Sequence, residues 1–445
     1  MSLETREHSM HWWAVLQVSL VNAAVALMIL PLNSTLNRVM INELRLSATL
    51  VAVLISLRFI TSPTRIWFGR VSDTRPIGGL HRTWYIVIGI VLMAAGLVSA
   101  PHVALAIPRL GLPGILLAFL SFGVLGLGVN LTTPLYFALV ADQSTETQRP
   151  RIVATMFILL GVSSVLASFA IGAAVEPYTE ERLVRVFYVI AAVAVLLTAL
   201  GLIRLERKRG TEGPVLTAVQ PENRTRAVRD LLLKNREALR FFVYLLLTFI
   251  AVEAQEVILE PYAAQFFQMT PGETTRLTGI SGIASLITLA LGAVLVNRIG
   301  HKPTATIGIG VASIGLLLVM AGGPMGNSTL LTGAVFILGL GAGLLTMTNL
   351  ALMMNMTDER HAGVFLGAWG FAQAVGVGSG NILGGVLRDL GLLLFGGQLA
   401  SYFTVFVGEI ILLLAAVPVL WKLSPLRFRE VNRSRPAPQA AAYPT

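Results

Sequence analysis

Twelve apolar runs divide this chain, near 11–36, 46–68, 83–101, 112–140, 151–175, 184–204, 240–264, 278–298, 303–322, 329–354, 361–386 and 399–421. Each approaches the roughly 20 residues a helix needs to cross a hydrocarbon layer of about 30 Å. The pattern predicts an all-α polytopic membrane protein with twelve transmembrane helices. Short polar loops separate the runs, except for segment 205–239, which is rich in Arg, Lys, Glu, Thr and Pro. That linker leaves an N-terminal six-helix half, 1–204, and a C-terminal six-helix half, 240–426. The remainder, 427–445, carries Pro, Ala and Arg and is predicted to be a disordered cytoplasmic tail. Two six-helix halves are the layout of repeat-built transporters, with the substrate site near the midplane between them. A weak internal repeat agrees. Asp142 with Arg149 and Arg151 follows the fourth run, and Asp358 with Arg360 follows the tenth.

Composition supports this class. Of 445 residues, 55% are hydrophobic and 13% charged, and the mean hydropathy is +0.76. The 42 glycines suit close helix packing in lipid. The first run lacks an A-x-A-like cleavage site, so a membrane helix is expected there in place of a removed signal peptide. The net charge of +10 is unevenly placed. If the N-terminus is cytoplasmic, only Arg38, Arg45, Arg109, Arg182, Arg185, Arg276 and Arg388 fall on the opposite side. The positive-inside rule then puts both termini in the cytoplasm. The basic excess is a topological signal that also attracts anionic lipid headgroups, so membrane lipids and not nucleic acid are the expected partners.

Several chemistries are excluded. With no cysteine there are no disulfides or thiolate metal sites. The six histidines lie at run ends or in loops without metal-site spacing, so no metal is expected. Nucleotide-binding and nucleophile-elbow motifs are absent, which argues against an ATP-driven pump and against an enzyme.

What remains is a set of charges at membrane depth, where ionisable groups are costly and mark function. The seventh run holds Glu253, Gln255, Glu256 and Glu260, and steps of three and four residues place its carboxylates on one helix face. Arg58, halfway along the second run, needs a counter-charge, and pairing with Glu253 or Glu256 is expected. Arg38 and Glu43 stand at the non-cytoplasmic end of the first run, where a snorkelling arginine with a nearby carboxylate is the plainer reading. Asn130, Asn349, Gln373 and Asn381 are each either ligand contacts or interhelical glue.

The segment from Gly69 through Asp73 to His81-Arg82 resembles the loop signature of the major facilitator superfamily. The resemblance implies a cytoplasmic latch built from Gly69, Asp73 and Arg82, with Asp142, Arg149 and Arg151 as its companion network. Leu36 to Leu44, Ser72-Asp73-Thr74, Gln255 to Tyr262, Gly341 to Leu344, Gly367-Ala368-Trp369-Gly370 with Gln373, and Gly384 to Asp389 together resemble the bacteriochlorophyll-delivery (PucC-type) branch of that superfamily. Two departures stand out. Gln255-Glu256 replaces the usual Gln-Asp, and the fourth run, with Pro134, lacks a Gln-Thr-Ala-Gly type of stretch. The resemblance implies a multi-pass protein of the bacterial inner (photosynthetic) membrane that assembles light-harvesting complexes. Bacteriochlorophyll would be its bound cargo and antenna polypeptides its partners, with no catalytic cofactor. The cavity for the pigment is then expected from Arg38, Glu43, Arg58, Asn130, Glu253, Gln255, Glu256, Glu260, Asn349 and Gln373. A glycine-rich seam in the tenth and eleventh helices (Gly339 to Gly385) is expected to open toward lipid. Two other functions fit the same residues: a proton-coupled transporter of a small solute, and a non-transporting scaffold for antenna subunits.

Overall fold

The structure, a computed structural model, describes residues 12–145, 148–206, 235–356, 362–424 and 427–428, with backbone alone at 149–150 and 362–368. Most of the predicted linker, the tail beyond Phe428, and Asp358 with Arg360 lie outside the described residues. The first span is α1 (Trp12–Pro31), which runs on through two π-helical turns, Leu32–Leu36 and Val39–Glu43. The second comprises α2 (Ala48–Ile60) and α3 (Thr64–Thr74). Four single helices complete the half: α4 (Thr83–Leu110), α5 (Leu112–Gln143), α6 (Arg149–Ala174) and α7 (Glu180–Leu202). The seventh span is broken into α8 (Arg236–Ala254) and α9 (Leu259–Phe267). Five helices follow: α10 (Pro271–Ile299), α11 (His301–Met325), α12 (Ser328–Met356), α13 (Ala362–Phe395) and α14 (Gln398–Lys422). Among the described residues, 11 segments are long and apolar enough to cross a membrane. The twelfth is α13, 34 residues long and packed against α8 and α2. An even number of crossings puts the start of α1 and the end of α14 on one face, the near face; the other is the far face.

Helix ends follow from local chemistry. The Ser47 side chain caps α2 by accepting from Leu50 N, and Thr270 and Glu273 form a reciprocal capping box on α10. The third span outruns its predicted end at 101, because α4 carries Pro101 and Pro108 internally and continues to Leu110. A proline costs a helix one hydrogen bond, whereas leaving the helix in hydrocarbon would expose many unpaired groups. Gly111, at φ 62°, is where α4 does stop. The eleventh span likewise reaches Phe395 and not 386.

Small residues set how closely helices approach. A Cβ on Gly128 would meet Gly89 O at 2.5 Å, which shows how tightly α4 and α5 are pressed. The halves meet along two seams, α6 with α10 and α2 with α13. In the second seam a Cβ on Gly385 would lie 2.6 Å from Ala48 O. Gly128→Leu should therefore cost about 1–3 kcal/mol from overpacking. In size-exclusion profiles and thermal melts it should show a clear loss of monodisperse protein. Gly123→Ala, with nothing within 4 Å of the new Cβ, should match the parent.

Candidate functional site

Both halves begin with an interrupted helix. In the C-terminal half the cause is Pro261, which has no N–H to offer the carbonyl four residues back, Val257. The chain leaves the helix from Gln255 to Ile258, and α9 restarts at Leu259. The freed Val257 O accepts from Asn37 Nδ2 at 2.9 Å, and Pro261 O accepts from Asn42 Nδ2 at 3.1 Å. Both asparagines lie in or beside the π-helical turns that follow Pro31, the corresponding interruption of the N-terminal half. The steps from Asn33 to Asn37 and Asn42 are four and five residues, and the wider five-residue step suits a π turn.

One turn deeper, the same two helices build a charged centre. Arg58 of α2 donates from Nη1 to Asn33 Oδ1 at 3.0 Å, and Asn33 Nδ2 faces Glu256 Oε1 at 3.4 Å. Among the described residues no carboxylate lies within 4.0 Å of the Arg58 nitrogens, so the expected direct pair is replaced by an amide bridge. The guanidinium also stacks 4.7 Å above the Phe59 ring. Glu253 and Glu256 are partly exposed, and the charges of both are near enough to act on Arg58. Glu253 packs beside Gly380 of α13, and Gln255 holds its own helix through Val252 O at 3.3 Å.

The expectation of one carboxylate face is corrected by the break. Glu253 turns to α13, Glu256 to α1, and Glu260 to α10, where Thr278 Oγ1 donates to its Oε1 at 2.7 Å. Glu260 is buried, and its Oε2 has no partner among the described residues. Glu253, Glu256 and Arg58 are thus brought together, while among the described residues Gln255 bonds only its own helix and Glu260 is set to one side.

Other expected cavity residues lie elsewhere. Arg38 sits at the far face, donating to Glu43 Oε1 at 2.5 Å and, across the halves, to Met269 O at 2.9 Å. Tyr178 is close to this pair. Burial, with the Glu43 and Glu180 carboxylates, pushes its hydroxyl up to about 12, so it stays uncharged at physiological pH. Asn130, fully buried, ties α5 to the α2–α3 bend through Arg58 O and Thr61 Oγ1, both at 2.9 Å, and receives Arg65 Nε at 2.6 Å. Asn349 donates to Thr248 Oγ1 at 3.3 Å within the C-terminal half. Both are interhelical struts. Gln373 is exposed and has no hydrogen bond among the described residues. Most of the described glycines expected to open a lateral seam are consumed by packing, although Gly370 has nothing within 4 Å of a built Cβ. Gly339, Gly341 and Gly343 press on α10 and α11, and Gly376 to Gly385 press on α8 and α2.

The far face is sealed. Asp389 of α13 accepts from Ala48 N at 3.2 Å and Thr49 N at 2.8 Å, capping α2 across the halves. Arg388 supports it at 3.0 Å. Thr35 meets Thr275 at 2.9 Å, and Glu176 bonds Thr270. Every hydrogen bond between the halves that joins described residues lies at the far face or mid-depth. On the near face, Arg82 pairs with Asp73 at 2.6 Å and Asp142 at 3.3 Å, so three of the expected latch residues do meet. All three belong to one half. Gly69 has no atom within 4 Å of a built Cβ, and Arg151 is exposed and outside this network. The Arg149 side chain lies outside the described residues. Sequence reasoning missed Glu206, whose carboxylate accepts from the backbone N–H groups of His81, Arg82 and Thr83 at the start of α4. It also gave no role to Asn42 or Asp389. The five-residue asparagine step beside a proline was the only available signal for Asn42.

The sequence matches the family described as PUCC protein over residues 35–428. It is 28% identical to "Protein PucC" of Rhodovulum sulfidophilum over 84% of this chain and 85% of that one. It is 29% identical to the "Bacteriochlorophyll synthase 44.5 kDa chain" of Rhodobacter capsulatus over 91% of this chain and 94% of that one. In structure it resembles the nucleoside transporter NupG, with TM-score 0.69 and 16% identity over 92% and 100% of the two chains. A bacterial homologue of ferroportin in an inward-facing state gives 0.70 at 14% identity, over 93% and 99%. The fold is of the major facilitator type.

The seal can be tested against a cysteine-free background. Ser34→Cys, at a buried position outside the inter-half bonds, should react slowly with a membrane-impermeant maleimide. Adding Asp389→Leu or Arg38→Met should speed that labelling about tenfold or more, since each removes a charged strut worth about 1.5–3 kcal/mol. Unchanged labelling would mean that neither strut holds the face closed.

Proposed function

The chain belongs to the PucC family, and on that premise we propose that it binds bacteriochlorophyll and delivers it to antenna polypeptides during light-harvesting complex assembly. The observation that carries this reading is the Arg58–Asn33–Glu256 bridge between two broken helices at corresponding positions of the halves. Such paired interruptions are the strongest pointer to a midplane binding site in repeat-built membrane carriers. Among the described residues the Arg58 guanidinium hydrogen-bonds a neutral amide alone, so other donors remain for ring carbonyls of a macrocycle. Asn33 and Glu256 offer oxygen acceptors to a magnesium-bound water. The name of the Rhodobacter capsulatus relative supports a bacteriochlorophyll setting. We read the chain as a carrier, because the centre contains paired polar groups and, among the described residues, no nucleophile–base arrangement. Its place would be the photosynthetic inner membrane, with the basic near face cytoplasmic.

One observation favours a second reading. Glu253 is a partly exposed carboxylate at mid-depth with no hydrogen bond among the described residues, as a proton-coupled solute carrier would need. The two readings separate experimentally. Protein purified in mild detergent from a bacteriochlorophyll-producing host should carry near-stoichiometric pigment with a shifted long-wavelength band. Arg58→Met or Glu256→Gln should reduce that pigment about tenfold or more, the loss of one charge-assisted contact. A colourless, folded preparation, with solute uptake that Glu253→Gln abolishes, would instead establish the transporter.

A further inference from the structure

Beside the charged centre lies a pouch of about 240 Å³ between α1, α6, α10 and α12. Its walls include Leu30, Val165, Leu286 and Leu289, together with Ser164, Thr278, Ser285 and Thr346. The four hydroxyls make it look polar in composition, but each is spent. Ser164 donates to Leu160 O, Ser285 to Gly339 O and Thr346 to Ala342 O, all at 2.9 Å. Thr278 donates to Glu260. What these residues turn to the pouch is hydrocarbon, leaving it no donor with which to hold water. A space lined this way favours an apolar guest.

The pouch adjoins the proposed pigment site at two points. Leu30 lies three residues before Asn33, and Thr278 holds Glu260, which sits across the helix break from Glu256 and near enough to feel its charge. Its volume falls below the roughly 300 Å³ at which ordinary small-molecule pockets begin. A macrocycle does not fit, whereas a segment of a slender chain does. Resting on the reading above, we propose that this pouch seats the prenyl chain of the pigment while the ring lies against Arg58, Asn33 and Glu256. The carrier would then grip an amphiphile at both ends, in place of leaving its tail in bulk lipid.

The physical consequence is selective. Lipid tails are as apolar as the pouch, so seating the chain contributes mainly packing and orientation, and overall affinity reports it poorly. A labelling experiment reports it directly. Full-length protein in lipid nanodiscs is irradiated with a C20 prenyl alcohol carrying a terminal diazirine, and adducts are mapped by peptide mass spectrometry. Label is expected on 161–165 and 278–289. Excess bacteriochlorophyll should suppress it about fivefold or more, and bacteriochlorophyllide, which lacks the chain, should not. Labelling of the exposed Leu116 and Leu120 should persist throughout as the lipid control. Ser164→Phe should abolish pouch labelling, and Thr346→Trp is the second filling variant should the first fail to fold. An unlabelled pouch, label that ordinary phospholipid displaces as well as pigment does, or equal suppression by bacteriochlorophyllide would each overturn the proposal. If pigment co-purifies but the pouch stays unlabelled, only the chain seat fails; if no pigment binds, both readings fall.

Discussion

A backbone carbonyl freed inside a bilayer has no water to turn to, and an unmet one costs several kcal/mol. Pro261 creates such a carbonyl at Val257, and much of this protein's architecture answers it. The partner is Asn37 of the opposite half, with Asn42 doing the same for Pro261 itself. Because the donors come from α1 and its π-helical turns, satisfying the seventh span draws the halves together at the far face. The same contact positions Asn33 between Arg58 and Glu256. Helix interruption, inter-half closure and the charged centre are therefore one structural feature.

This arrangement also divides the charges by role. Arg38, Glu43 and Asp389 act at the closed face, where each bond crosses from one half to the other or supports one that does. Arg82, Asp73 and Asp142 meet on the near face within one half. In an alternating carrier the contacts of one face must yield as those of the other form. Among the described residues, the hydrogen bonds between the halves lie at the far face and mid-depth. The near-face cluster joins residues of the N-terminal half.

How far the chain itself could be read varies with the length scale. The spans were legible because hydrocarbon demands long apolar helices, and most boundaries fall within a few residues of the observed ends. Where they fail, as at the end of the third run, the helix continues through Pro101 and Pro108 in a medium where stopping costs more than continuing. The seventh-span carboxylates were legible as a site because charges at that depth are rare. Their shared face was not real, because the helical periodicity that placed them together ends at Gln255. Asn130 and Asn349 read in sequence as either ligand contacts or interhelical glue, and their bonds to Arg58 O and Thr248 show the second.

Hydropathy, charge placement and the six-plus-six arrangement come from interactions between each residue and its solvent, and these need no knowledge of neighbours. They were determined by the sequence alone, as was the family. Partnership is different, because it depends on which helices touch. That Arg58 reaches Glu256 through Asn33, that Asp389 caps α2 some 340 residues away, and that four hydroxyls are consumed to leave an apolar pouch are facts of packing. The Asn33–Glu256 and Asp389–α2 bonds exist only once the two halves have come together, and the pouch exists only once α1, α6, α10 and α12 have packed.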